Sequence, residues 1–343
     1  MPDAGIVAEA RRLWYLYADS AFVGAPVAEQ GAFADDPDNR HLHALLRIVL
    51  ETQPPEMRAS GRALAAEVEP YVIRSFTTAS HISHVPSGYA IGISPFTQLI
   101  GEIAFVRAAL PDDGLFDHLD AIIGSYLEAF YLRRRVELYT ALPPDPGEVT
   151  RSTYGDYRNL GTVFALCHEL AHVYAHHFQG AIPSLETLAW DEVRGEDKPE
   201  IEADLWTFTS LVNVYELICS DDRHVAKPLL RALMEQASGP MTPFEAARTL
   251  AVYRACETLE AFYTSMLTLR ICAFEAGDHE FASRLDPMVQ RKRFARRFVR
   301  AVRRDGGPFG AVGFHAGDAQ LRATHDAYIA HASLEVLPPL AAR

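Results

Sequence analysis

Between Tyr157 and His177 apolar residues recur at helical spacing, and the same stretch carries His168-Glu169-Leu170-Ala171-His172. No other feature constrains the fold as strongly. Residues four apart lie above one another on one face of a helix, so both imidazoles can close on a single zinc ion. Glu169, one position after the first imidazole, is placed as general base toward a water activated by that ion. Catalytic zinc ordinarily takes three protein ligands and keeps one position open. The chain must therefore bring a further ligand to this face from elsewhere.

Two places offer one. His176 extends the series on the same helix, but it lies roughly 12 Å along the axis from His168, too far to share one tetrahedral ion. Cys167 adjoins His168, yet neighbours on a helix point about 100° apart, which sets it off the histidine face. The better place is Pro199-Glu200-Ile201-Glu202-Ala203-Asp204, at the start of the next helical pattern. Glu200 and Asp204 are four apart and face the same way. A carboxylate from this neighbouring helix would complete a His₂Glu set, and Asp204, one turn on, is placed to accept the free ring N–H of a ligand histidine and set its tautomer.

Around the motif the chain reads as mostly helical. Ala8–Ala18, His41–Glu51 and Pro55–Glu69 have amphipathic spacing, the last with proline at its start. The character changes at Tyr71-Val-Ile-Arg-Ser-Phe-Thr-Thr and at 81–94, where alternation flanks a Pro-Ser-Gly turn signal. This predicts a small antiparallel sheet or hairpin near 70–94. Helices resume over Phe96–Leu110 and Leu115–Leu142, until Pro143-Pro-Asp-Pro-Gly147 breaks the chain. A loop is expected over 181–199, then helices at about 200–219, 225–237, 243–276 and 279–304. An irregular stretch and a short helix, Ala319–Ala332, follow. The expected fold class is mainly α (α+β). Its regions are an N-terminal helical part with the β element (1–142), a metal-site part (151–304) and a C-terminal segment (305–343), gathered in one compact unit.

His168-Glu-x-x-His172 followed by Glu200-x-x-Ala203-Asp204 resembles the gluzincin zinc metallopeptidases. It is similar in style to soluble ImmA/IrrE-type and Lit-type peptidases and to HtpX-type catalytic cores, over roughly residues 155–215. The resemblance implies one Zn²⁺ per chain held by His168, His172 and Glu200, with Glu169 as base and Asp204 as the group orienting a ligand histidine. Glu202 is the rival third ligand, because some such families set their glutamate closer to Ala-Asp; the four-residue relation to Asp204 favours Glu200. It further implies peptide-bond hydrolysis, a peptide or protein substrate lying along an edge strand such as the 70–94 element would supply, and a helical core. An oxyanion donor is expected from a later segment, with Tyr253, Tyr263 and His279 as candidates. Asp286-Pro-Met-Val-Gln-Arg291 resembles a His-Pro…Arg segment of some such peptidases, with aspartate standing in place of histidine. Arg291 is the candidate there for assisting the oxyanion or binding a substrate carboxylate.

The whole chain bounds these readings. A net charge of −13 disfavours general affinity for nucleic acid or anionic membrane. No stretch approaches about 18 uninterrupted apolar residues, so no membrane span is expected. The N-terminus lacks the pattern of a secretory signal, and the four cysteines include no CxxC pair, which together point to free thiols in a cytoplasmic protein. The one basic stretch, 291–304, places Phe294, Phe298, Val299 and Val302 on one helical face. It reads as a solvated amphipathic helix or as a contact for an acidic partner. Two alternatives to a peptidase remain open. One is a metalloenzyme acting on a small molecule, including a di-metal carboxylate site in which Glu169-x-x-His172 is one half and Asp221-x-x-His224 a poor second. The other is a non-catalytic regulator of peptidase descent, against which the intact Glu169 argues.

Overall fold

A computed structural model describes residues 2–16, 33–52, 67–74, 80–109, 121–122, 124–125, 148–177, 198–220, 227–237, 239–275, 277–284 and 287–305. The expected helices at 115–142 and 319–332 lie outside these residues or nearly so, as do most of the 55–69 helix and the 181–199 loop. Asp221, His224 and Asp286 also lie outside them. The described elements are α1 (Ala4–Leu16), α2 (Pro37–Glu51), β1 (Val68–Val72), β2 (His81–Val85), β3 (Gly88–Ile93) and α3 (Thr97–Ala109). They continue with α4 (Glu148–His177), α5 (Lys198–Ser220), α6 (Lys227–Gln236), α7 (Pro243–Glu275), α8 (His279–Arg284) and α9 (Pro287–Asp305). The fold is mainly helical with one small mixed sheet.

The helix starts follow local chemistry. Asp36 caps α2 by accepting from the Asp38 and Asn39 amides at 2.9 and 3.0 Å, with Pro37 in the first turn where its missing N–H costs nothing. At α7, Thr242 and Glu245 form a reciprocal capping box, with Glu245 N–H donating to Thr242 Oγ1 at 3.2 Å and Thr242 N–H to Glu245 Oε2 at 2.7 Å. The motif helix α4 begins at Glu148, directly after the Pro-rich break and nine residues before Tyr157. The expected helix at 279–304 is instead two, α8 and α9, because Pro287 removes a main-chain donor and opens a new first turn.

The sheet corrects two expectations. Glu69 belongs to β1 and not to the end of a helix, and the strand order β1-β3-β2 is mixed, with β1 parallel to β3 and β2 antiparallel to it. The physical reason lies in β3. Gly88-Tyr-Ala-Ile-Gly-Ile93 is buried at every position, so it takes the centre, where both faces are covered. β2, with His81, Ser83 and His84, takes the edge, where polar side chains cost little. Alternation then divides the faces. Tyr89, Ile91 and Ile93 join the main core, whereas Ala90 packs with Tyr71, Ile73 and the α1 residues Leu13 and Trp14.

The main core runs from Leu42 on α2 through α3, α4, α5 and α7 to Val302 on α9. α4 packs between α3 and α5, and α7 packs across α3 and α5. Two glycines let α3 and α4 approach closely. A Cβ at Gly161 would lie 1.9 Å from the Thr97 carbonyl oxygen, and one at Gly101 2.4 Å from that of Tyr157. α4 is tied to α7 by Tyr157, whose hydroxyl donates to Glu257 at 2.6 Å while the Arg254 guanidinium stacks 4.3 Å over its ring. On α9, Phe298, Val299 and Val302 are buried, and Arg293, Arg296, Arg297 and Arg300 are exposed. Among the described residues no helix is long and apolar enough to cross a membrane.

Candidate metal centre

The second and third turns from the C-terminal end of α4 present His172, Glu169 and His168, and the first turn of α5 presents Glu200. His168 Nε2 lies 3.1 Å from His172 Nε2 and 3.2 Å from Glu200 Oε2, and His172 Nε2 lies 3.4 Å from Glu200 Oε1. Two nitrogen donors and one carboxylate thus converge from two helices. Ligands about 2.0–2.1 Å from a tetrahedral zinc ion stand about 3.3 Å from one another. The imidazole–imidazole separation and that from each imidazole to its own nearer Glu200 oxygen lie near that edge length, so the donor set suits a divalent ion in chemistry and proximity. His168, His172 and Glu200 form a cluster able to coordinate a metal ion. Glu202 is not part of it, since two residues of helix turn it about 200° from Glu200.

Behind the cluster is a buried network. Asp204 Oδ1 lies 3.1 Å from His168 Nδ1, close enough to pair, at an angle short of a well-aligned hydrogen bond. Arg291, entering from α9, grips the same carboxylate as a fork: Nε donates to Oδ2 at 3.0 Å and Nη2 to Oδ1 at 2.7 Å. Its remaining nitrogen, Nη1, lies 3.1 Å from Glu200 Oε2. The Tyr263 hydroxyl donates a further hydrogen bond to Asp204 Oδ2. Asp204, Arg291 and Tyr263 are all buried, so each depends on the others to offset the loss of water.

The charges follow from these contacts. Burial alone would lower the His168 pKa, but Asp204 and Glu200 outweigh it and raise it to about 9. His172 moves the other way, lowered by burial and by its charged neighbour His168. The His168 hydrogen bond, with Arg291 and His172 nearby, holds Glu200 down at about 2. Asp204, despite burial, is held well below the carboxylate range by Arg291 and His168. Glu169 is raised, chiefly by burial.

The cluster opens into a cavity of about 550 Å³. Glu169, Arg291, Ser80 and Thr97 line it beside the three candidate ligands. Among the described residues its walls are otherwise apolar, chiefly Phe96 and Ile100 from the α3 side, Phe164 from α4, Phe262 and Met266 from α7, and Met288 from α9. The other sequence candidates sit elsewhere. Tyr263 is spent on Asp204, Tyr253 is buried on α7 away from the cavity, and His279 is exposed at the start of α8. Cys167 is buried on the α5 side of α4, where burial pushes its thiol well up and Ser210 contacts it. The side chains at 176 and 177 lie outside the described residues.

Sequence reasoning missed the fork between Arg291 and Asp204, and it missed the apolar walls. Part of the wall was open to detection, since Phe164 stands four residues before His168 and Met266 four after Phe262, each pair on one helix face. The chain matches no family model, no curated protein and no solved structure.

Proposed function

We propose that this chain is a gluzincin-like zinc hydrolase that cleaves peptide bonds. The observation that carries the proposal is the convergence of His168, His172 and Glu200, whose nitrogen and oxygen atoms approach at 3.1, 3.2 and 3.4 Å, with Glu169 on the wall of the cavity they face. A bound zinc ion would be held by His168, His172 and Glu200 and would supply Lewis acidity toward a carbonyl oxygen and a water. The chain's own residues supply the proton handling. Glu169 is partly enclosed by apolar walls, and its raised pKa suits a carboxylate that first takes a proton from water and then delivers it to a leaving amine. Asp204 holds the His168 ring with Nε2 turned to the cluster, and Arg291 and Tyr263 hold Asp204. The edge strand β2 begins beside Ser80 on the cavity wall, which suits a substrate main chain added alongside it.

Metal analysis of the purified protein tests the first half. One zinc per chain is expected, lost in His168→Ala and Glu200→Ala and kept in Glu202→Ala; two irons per chain would overturn the reading. For the second half, Glu169→Gln should keep its zinc and lose cleavage of a mixed peptide library. A zinc-loaded wild type that cleaves no peptide would favour a metalloenzyme acting on a small molecule.

A further inference from the structure

From the cavity walls we infer that the site selects a large, uncharged apolar side chain beside the scissile bond, in the interior of a peptide. The inference rests on the zinc peptidase reading and adds the substrate class. Six side chains carry it: Phe96, Ile100, Phe164, Phe262, Met266 and Met288. Together they make the apolar wall of the cavity. Phe164 and Phe262 stack with ring centroids 4.5 Å apart, which gives that wall a flat, firm surface. Met266 and Met288 come from two other helix positions and bring unbranched, polarizable side chains that adapt to different apolar shapes. A cavity of about 550 Å³ accepts an aromatic or long aliphatic side chain together with the peptide unit that bears it.

Charge points the same way. Among the described residues, the cationic side chain that lines the cavity, besides the histidines, is Arg291, and all three of its nitrogens are engaged by Asp204 and Glu200. It is therefore occupied within the protein and does not serve a substrate carboxylate, whether a side chain or a C-terminus. Among the described residues, with a divalent ion in place, the positive charge of the ion and Arg291 balances Glu169, Glu200 and Asp204. A cationic substrate residue then finds no excess negative charge to repay its desolvation. Neutral apolar residues lose nothing on entry and gain the walls.

The test uses peptidyl hydroxamates that differ only in the residue next to the metal-binding group: Phe, Leu, Gly, Asp or Lys. Affinity for the zinc-loaded wild-type protein is read by calorimetry, in parallel with cleavage of matched fluorogenic peptides. The Phe and Leu probes are expected to bind at least ~30-fold more tightly than the Asp and Lys probes, and cleavage should follow the same order. Ile100→Trp, which narrows the apolar side of the cavity, should weaken the Phe probe relative to Gly. Met266→Ala, a milder change in the same wall, should favour Phe over Leu. Equal affinity for all probes, or no binding by any, overturns this inference, and peptide cleavage without side-chain preference does so while leaving the peptidase reading standing. Selective binding of apolar probes with no cleavage of any peptide keeps the cavity's apolar selectivity but removes the peptidase reading, and with it overturns the placement beside a scissile bond. Amidation of the peptide C-terminus should change neither affinity nor rate; a loss of tenfold or more would show that Arg291 serves a substrate carboxylate and would overturn the placement of the site in a peptide's interior.

Discussion

Zinc binding to the metal-stripped protein should expel one proton, and that proton should come from His168. Its ring is flanked by Asp204 at Nδ1 and Glu200 at Nε2, and these carboxylates raise its pKa to about 9 against the opposing effect of burial. The stripped protein therefore holds His168 as a cation at neutral pH, whereas a zinc ligand must offer a free lone pair. At pH 7 a group with a pKa of about 9 is neutral in roughly one molecule in a hundred, a cost of about 3 kcal/mol on the metal affinity. His172 is lowered below 6.5 and Glu200 is held at about 2, so neither adds a proton near neutrality. The apparent zinc constant should then rise about tenfold per pH unit from about 6.5 to about 9 and level off above. The same pKa shift gives the stripped protein a pH-dependent stability. The raised His168 contributes fully below 6.5 and its contribution is lost as pH rises through about 9, while the lowered Glu200 contributes above 4.5 and is lost as pH falls through about 2. Calorimetric titration at pH 6.5 to 7 in buffers of different ionisation enthalpy counts the proton directly. Zero proton release, with a zinc constant flat from pH 6 to 9, would refute the claim that the two carboxylates hold a proton on His168.

Two further substitutions probe the packing. Arg291→Met removes the fork from a buried Asp204 and should destabilise the protein by about 3–5 kcal/mol, with about a 10–100-fold loss of zinc affinity in whatever remains folded; denaturant melts and metal competition measure the two, and a neutral result would refute the network. In α4, Gly161→Ala forces a methyl group against the Thr97 carbonyl and should cost about 1–3 kcal/mol, whereas Gly155→Ala on the same helix meets nothing within 4 Å and should stabilise by about 0.5–1 kcal/mol. Equal melting temperatures for the two variants would contradict the close crossing of α3 and α4.

What was legible in the sequence was what helical spacing controls. His168 and His172 share a face because they are four apart, and Glu200 and Asp204 do so for the same reason, so the convergence of two pairs needed only one hairpin between α4 and α5. The helix limit at Pro243 was read where it lies, whereas α2 begins at Pro37, four residues ahead of the expected His41, and α4 at Glu148, nine ahead of the expected Tyr157. The sheet was less readable. A hairpin over 81–94 follows from its turn residues, but the insertion of β3 between β1 and β2 is a competition for the covered central place, and no single strand's pattern records its outcome.

Arg291 shows the limit most sharply. In the sequence it opens a run of cations, Arg291-Lys-Arg, and its neighbours give no sign that one of the three is buried. Helical phase separates it from the others: Arg291, Ala295, Phe298 and Val302 succeed one another at three- and four-residue steps on the face that meets the core, so the first cation of the run is carried inward with the apolar residues. An inward arginine must find anions, and the buried carboxylate that meets it is Asp204, eighty-seven residues earlier in the chain. The same break at Pro287 that splits the expected C-terminal helix starts α9 one turn ahead of this residue. The phase of α9 and the geometry of the candidate cluster are therefore one problem. If Arg291 is turned out of phase with Ala295, Phe298 and Val302, Asp204 loses its fork, and the carboxylate 3.1 Å from the His168 ring loses its anchor. A single alanine inserted between Arg291 and Ala295 would test this coupling, because it turns Arg291 by about 100° away from the face that Ala295, Phe298 and Val302 keep against the core, while leaving His168, His172 and Glu200 in place; zinc affinity should fall as far as it does in Arg291→Met.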